Sequence, residues 1–421
     1  KVNALTYNYN CMYNTVFFII VGIVLAGYLF GTWLDYLNLK HTTPEPPDEL
    51  KDVYDAERYR KSQEYKRVNI RFSFLTGAFS LILILIMLFF SGFSLVNDVA
   101  YTLAEKYIFV AFVFFGIIML GSDILSLPFS VYDTFVIEEK YGFNKTTPKT
   151  FVLDKVKSWM LGGIIGGLIL AAVIWFYLKT GSKFWIWAWI LTSGFSIFMF
   201  MFYSNLIVPL FNKQTPLEEG ELRSKIEKFA SSVGFKLQNI FVIDGSKRST
   251  KANAYFTGLG PKKRIVLYDT LINDLDEEEI VAVLAHEIGH YKKKHSLSNI
   301  VLSILQTGFT LFLFSLFVNN EALSGAMGVE QPNFHISVIA FGILYSPIST
   351  FTGFLMNIFS RKNEYEADRF AKDHYDEKFL ISALKKLSEK NLGNLTPHPL
   401  YVKIHYSHPP LLERIRAMKE E

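Results

Sequence analysis

AHEIGH at residues 285–290 places His286, Glu287 and His290 in the spacing HExxH. On a helix, positions four apart share a face, so both imidazoles can reach one tetrahedral Zn²⁺ while Glu287 lies beside the metal without occupying it. The motif falls between hydrophobic segments long enough to cross a bilayer. Together these features point to a zinc protease built into a membrane.

Working outward, half of the 421 residues are hydrophobic and 16% are aromatic, and the apolar residues come in blocks. Seven blocks, at about 15–37, 72–95, 107–127, 160–178, 184–210, 299–318 and 335–359, each reach the roughly 20 residues that a spanning helix needs. The first is expected to be a retained helix. Its flank is uncharged apart from Lys1 and no small-residue cleavage pattern follows Asp35. A formal net charge of +4, with no basic stripe interleaved with aromatics, gives no footprint for nucleic acid. The charge instead reports topology: segment 38–71 carries Lys40, Lys51, Arg58, Arg60, Lys61, Lys66, Arg67 and Arg71, whereas 319–334 has neither lysine nor arginine. Alternating the spans puts 38–71, 128–158, 211–298 and the C-terminal segment on one side, which the positive-inside rule makes the cytoplasm. Cys11 is the one cysteine, so no intrachain disulfide or multi-cysteine zinc site can form, and a metal must use histidine and carboxylate.

The fold class expected is a mainly α polytopic membrane protein, with residues 1–210 holding helices one to five and 211–421 holding a zinc metalloprotease domain with helices six and seven. TTPEPPDEL at 42–50 reads as a proline-rich turn, and DAERYRKSQEYKR at 55–67 as a solvated surface helix. Pro128 is expected to end the third span, with a polar loop following, and Asp123 near that end is a weak candidate for a functional intramembrane acid, the favoured reading being that it lies at headgroup level or faces a polar interior. After residue 210, LEEGELRSKIEKFASSVG reads as a helix stopped by Gly234. IFVID at 240–244, NAYFTG at 253–258 and RIVLYDTL at 264–271 read as a small antiparallel sheet. Asp276 and Glu279 then form a capping box, and Ile280, Val283, Leu284 and Ile288 give the metal helix an apolar face.

Two histidines leave a catalytic zinc one protein ligand short. An elongated HExxHxxGxxH motif would need glycine at Lys293 and histidine at Ser296, so His295 is set aside. Glu364, in NEYEADRFA at 363–371, ranks first, and Asp368 lies one turn on along the same face, placed to fix a ligand histidine through its other nitrogen. Glu366 faces elsewhere and ranks last. If the links to the spans are helical, His290 precedes span six by a rise of roughly 14 Å and Glu364 follows span seven by roughly 6 Å. The zinc then lies at or just inside the cytoplasmic membrane face, where it suits a lipid-anchored or membrane-inserted substrate, and Lys292, Lys293, Lys294 and His295 lie where anionic headgroups would meet them.

The chain resembles the type I CAAX prenyl endopeptidases. The resemblance rests on FVIEEKYGFNKTTPKTF at 135–151, IVPLFNKQTPLEEGEL at 207–222, IDGSKRSTKANAYFTG at 243–258, KRIVLYDTL at 263–271, AHEIGH, NEYEAD and SHPPLLERI at 407–415. It implies seven helices enclosing an intramembrane chamber, closed on its cytoplasmic side by a gluzincin-like α+β zinc domain. It assigns one zinc per chain to His286, His290 and Glu364, with Glu287 as the base that activates water and then protonates the leaving amine. It also places Asn253 and Ala254 on an edge strand that pairs with the substrate main chain, and His408 and Arg414 against the substrate or the developing oxyanion. A prenylated substrate would lose its last three residues, with membrane lipid as the other partner. The enzyme would reside in a bacterial inner membrane or, in a eukaryote, the endoplasmic reticulum. Lys251 and Ala252 depart from the family, whose eukaryotic members usually carry histidine and serine there. A broad-specificity quality-control protease would share the chemistry. A non-catalytic scaffold is disfavoured by the intact HExxH, Glu364 and Asp368, and an intramembrane-cleaving protease by the DEEE and YKKK that flank the motif.

Overall fold

The computed structural model describes residues 12–235, 237, 240–257 and 264–420. Cys11 and Lys1 lie outside the described residues, as do Gly258 and Lys263 at the margins of the two strand segments. Among the described residues, six helical stretches are long and apolar enough to cross a membrane: Thr15–Lys40, Ala56–Phe89, Tyr107–Tyr141, Pro148–Phe211, His295–Phe317 and Phe334–His374.

Helix α1 (Thr15–Lys40) starts at the Asn14 cap, whose side chain accepts from Phe17 N. Helix α2 (Ala56–Phe89) starts at Asp55, which accepts from Arg58 N at 2.7 Å, and runs unbroken from its charged beginning into the apolar span. That beginning is solvated on one face, where Glu57, Arg60, Lys61, Glu64 and Arg67 are exposed, and covered on the other, where Tyr59, Ser62, Gln63 and Lys66 are buried. Ser62 Oγ donates to the Gly393 carbonyl at 3.1 Å, so residues near the C-terminus cover this turn of the helix. The second span also ends sooner than expected, at Phe89. Ser91, at φ 53°, turns the chain into the separate helix α3 (Gly92–Leu103).

Helix α4 (Tyr107–Tyr132) passes through Pro128 instead of stopping there, and continues by a π-helical turn over Asp133–Glu138 to Tyr141. A spanning helix tolerates the missing N–H where neighbours and local π adjustments satisfy the freed backbone. The expected polar loop shrinks to the short link between Gly142, at φ 85°, and the Thr147 cap of α5 (Pro148–Leu161). Asp123 is paired, with Lys155 Nζ at 2.7 Å and Trp159 Nε1 at 2.9 Å. Helices α6 (Gly167–Thr180) and α7 (Phe184–Leu206) pack on one another across the turn Gly181–Lys183, with Tyr177 edge-on to Phe184. Expected spans four and five thus fall within the 64-residue stretch Pro148–Phe211.

The sheet contains β1 (Gln214–Pro216), β2 (Ile240–Ile243), β3 (Ala254–Thr257) and β4 (Arg264–Tyr268) in the order β1-β2-β4-β3. It is mixed rather than antiparallel: β2 and β4 are parallel, and only the two outer pairings are antiparallel. The connection through β3 carries the chain to the outside of β4, which leaves β4 to pair with β2 in the same direction. Strand β1 went unforeseen because three residues ending in proline carry no alternation, and proline is tolerated at a sheet edge. Between β1 and β2 runs α8 (Glu221–Ser232), ended at Gly234 with φ 61° as expected.

The metal helix α9 (Glu277–Lys292) has the capping box of Asp276 and Glu279, and Ile280, Leu284 and Ile288 are buried in its apolar face. It is followed by α10 (His295–Phe317), α11 (Phe334–His374), α12 (Glu377–Lys390), α13 (Pro399–His405) and α14 (Leu411–Lys419). One hydrophobic core joins Leu50, Tyr59, Ile137 and Phe143 of the membrane half to Ile226, Leu267, Leu284 and Ile415 of the other half. A second packs Phe17, Leu88, Phe93, Phe114 and Ile336 at the far ends of α1, α2, α4 and α11.

Asp276 caps α9 and also binds Lys386 at 2.9 Å. Asp276→Ala should therefore cost about 1 kcal/mol, seen as a lower unfolding midpoint in detergent. An unchanged midpoint would show that the cap is dispensable.

Candidate metal centre

Helix α9 lies against α11 at Gly289. A Cβ there would come within 3.1 Å of the Ala367 carbonyl oxygen and of Phe370 Cβ, so only glycine lets the two backbones approach this closely. Across that contact α9 presents His286 and His290, and α11 presents Glu364 and Asp368. His286 Nε2 and His290 Nε2 stand 3.1 Å apart, and Glu364 Oε1 is 3.2 Å from the latter. Glu364 Oε2 is 3.5 Å from His286 Nε2. One ligand atom from each of the three residues falls within 4.8 Å of the others, and Glu364 Oε2 is buried without a hydrogen-bond partner. A buried carboxylate oxygen facing two convergent ring nitrogens is a donor set for Zn²⁺, and it suits the one-carboxylate, two-histidine type that leaves a fourth position open.

Asp368 accepts at 2.8 Å from His286 Nδ1 and takes a bidentate pair from Arg414, Nε at 2.8 Å and Nη2 at 2.6 Å. This fixes the His286 ring with Nε2 towards the site. Burial opposes a charge on His286, but the neighbouring carboxylates of Asp368 and Glu364 outweigh it and raise its pKa to about 9. Arg414 comes from α14 and is itself buried, with Nη1 3.7 Å from Glu364 Oε2. His408 is exposed on the segment leading into α14, with Nε2 3.3 Å from Glu364 Oε1 and Nδ1 2.9 Å from Ser407 Oγ. Glu287 is half-buried on α9, and its charge is felt at Arg414.

The structure therefore gathers His286, His290, Glu364, Asp368, His408 and Arg414. Asn253 is exposed and Ala254 opens β3, the edge strand, which touches α9. Asn253 O accepts from Tyr268 N at 3.1 Å, and the Asn253 side chain accepts from Ala254 N at 2.8 Å.

Two expectations fail. Lys294, at φ 61°, ends α9 and redirects the chain, so the link from His290 to span six is not one straight helix. His295 is buried rather than at the headgroups, with Nδ1 3.0 Å from His290 Nδ1 and Nε2 3.1 Å from Glu366 Oε2. His295 and Glu366, neither of them among the three convergent metal-binding residues, thus pair with one another. Another unforeseen group is the cluster of Lys251 Nζ with Glu138 at 2.7 Å and the Tyr65 hydroxyl at 3.0 Å, where Tyr65 also bonds Glu138.

Enlarging Gly289 should separate α9 from α11. Gly289→Val is expected to destabilise by about 1–3 kcal/mol and weaken zinc binding, with Gly289→Ala milder. Melting curves with and without zinc check this, and a valine variant with parental stability and affinity would contradict it.

Residues 35–213 match the family described as CAAX prenyl protease N-terminal, five membrane helices, and residues 216–421 match peptidase family M48. The CAAX prenyl protease 1 homolog of Arabidopsis thaliana is 38% identical, covering 96% of this chain and 97% of its own length. The CAAX prenyl protease 1 of Saccharomyces cerevisiae is 36% identical, covering 95% and 94%. The crystal structure of S. mikatae Ste24p superposes with a TM-score of 0.91 at 36% identity, covering 96% of this chain and 99% of that one. With matches over nearly its whole length and a His-His-Glu group that fits the metal, the chain belongs to the M48 CAAX prenyl protease family as an integral-membrane zinc metalloendopeptidase.

Proposed function

We propose that the chain hydrolyses a peptide bond near the C-terminus of prenylated, membrane-held proteins. One observation carries this reading. Glu364 stands on the same uninterrupted helix as the exposed apolar residues Phe351, Leu355 and Phe359. Glu364 lies five positions after Phe359, a rise of roughly 7.5 Å, so the metal site is held at the margin of the apolar zone.

Bound zinc supplies Lewis acidity, which acidifies water and polarises the scissile carbonyl. His286, His290 and Glu364 hold it, and Asp368 orients His286. Glu287 takes a proton from the attacking water and passes it to the leaving amine as the C–N bond breaks. His408, exposed beside Glu364, stabilises the developing oxyanion, while Arg414 locks Asp368 and turns Nη1 towards the site. The substrate main chain adds to β3 along Ala254, with Asn253 at its entrance.

We further read seven membrane crossings around a chamber, counting α6 and α7 separately. The fold-back at Gly181–Lys183 and the five-helix description of the matched N-terminal family support the count. In each spanning window only 6–17% of residues are buried, which suits helices that face lipid on one side and a chamber on the other. The membrane part ends near residue 210 and the metalloprotease part follows, in line with the matched ranges. The basic residues in 38–71 support a zinc face in the cytoplasm. The eukaryotic relatives favour the endoplasmic reticulum over a bacterial inner membrane.

A farnesylated C-terminal peptide should be cleaved by the detergent-purified protein, its unprenylated twin much more slowly, and neither by Glu287→Gln, which should keep its zinc. Equal cleavage of both peptides would sink the prenyl-specific reading in favour of broad quality control.

A further inference from the structure

Asp368 fixes the ring of His286. The structure supplies a different device for the ring of His290. His290 turns Nε2 to Glu364 and His286, and its Nδ1 meets His295 Nδ1 at 3.0 Å. The other nitrogen of His295, Nε2, meets Glu366 Oε2 at 3.1 Å. A single tautomer set satisfies the chain: His290 Nδ1–H donates to His295 Nδ1, and His295 Nε2–H donates to Glu366. His290 Nε2 is then left as a lone pair aimed at the site, which is the form a metal ligand requires.

The backbone is arranged to deliver this contact. α9 ends after Lys292, and Lys294 adopts φ 61°, ψ 26°, a left-handed conformation that side chains other than glycine and asparagine seldom take. That turn brings His295, first residue of α10, back beneath His290 in a buried position. Left-handed strain held beside a functional group persists where the surroundings over-determine it. Glu366 reaches His295 from α11, two residues beyond Glu364, so the same helix that carries a metal carboxylate also anchors the relay. Lys362 Nζ, 3.7 Å from Glu366 Oε1, steadies the outer carboxylate.

We propose that His295 and Glu366 are positioning residues that fix the tautomer and orientation of His290, as Asp368 and Arg414 do for His286. The inference rests on His290 being a zinc ligand. It makes the affinity for zinc depend on two polar relays that leave the site in different directions, one through α14 and one through the α9–α10 turn.

The test uses the full chain in detergent and reads zinc affinity by competition with a fluorescent chelator, together with the absorption spectrum of the Co²⁺-loaded protein. His290→Ala tests the underlying reading and should abolish tight binding; if it binds zinc like the parent, that reading fails. With His290→Ala impaired, His295→Gln should weaken zinc binding about 10- to 100-fold and shift the Co²⁺ spectrum. The unfolding midpoint of its metal-free form should stay near that of the parent. Glu366→Gln, altering a partly exposed carboxylate, should weaken binding by a smaller factor in the same direction, and it decides the matter if His295→Gln does not fold. Parental affinity in both variants, or a fall in affinity matched by an equal fall in metal-free stability, would overturn the proposal.

Discussion

Everything at the metal centre depends on how closely α9 approaches α11. The histidines are on one helix and the carboxylates on the other, and neither helix alone presents three ligands. Gly289 lies between His286 and His290 where the two helices touch, and a Cβ there would press on Ala367. The small residue of the motif therefore has a packing role that its spacing does not reveal. Burial of Ile280, Leu284 and Ile288 on α9 drives the same contact, because these side chains enter the core shared with Leu380 and Ile415. Two buried carboxylates beside two imidazoles would be costly alone, and Arg414 offsets part of that charge with a bidentate pair to Asp368.

Much of this was legible in the residues. HExxH announced the ligand helix, the spacing of Glu364 and Asp368 announced the second helix, and blocks of apolar residues announced the spans. The capping box at Asp276 and the stop at Gly234 appear as local chemistry dictates. What escaped was set by tertiary context. The charged face at the start of α2 is solvated as read, but periodicity does not show that residues 388–393 return to cover its other face. Pro128 looked like a terminus because the rule for helices in water is stricter than the rule in a bilayer, where a π-helical turn can follow. The parallel pairing of β2 with β4 depends on β3 occupying the outer edge, a choice that alternation of residues does not encode. The place of His295 behind His290 depends on the left-handed turn at Lys294, which no lysine advertises.

The remaining link is between the membrane helices and the edge strand. Lys251 stands two residues before Asn253 and is tied to Glu138 on the π-helical turn and to Tyr65 on α2, with its ammonium 4.4 Å from the centre of the Phe143 ring. Arg248, three residues earlier, holds Asp154 of α5 through Nε at 2.7 Å and Nη2 at 2.9 Å, and donates from Nη2 to the Phe211 carbonyl at 2.8 Å. The approach to β3 is thus fastened to three membrane elements by charge-assisted hydrogen bonds, which are directional and stronger than neutral ones. Because β3 also touches α9, the orientation of the strand is set jointly by the spans and by the metal helix. Lys251 is a long cation that needs a carboxylate partner, and Glu138 supplies it. A strand anchored in this way carries the arrangement of the spans to the sheet edge, where the proposed pairing with a substrate peptide would take place.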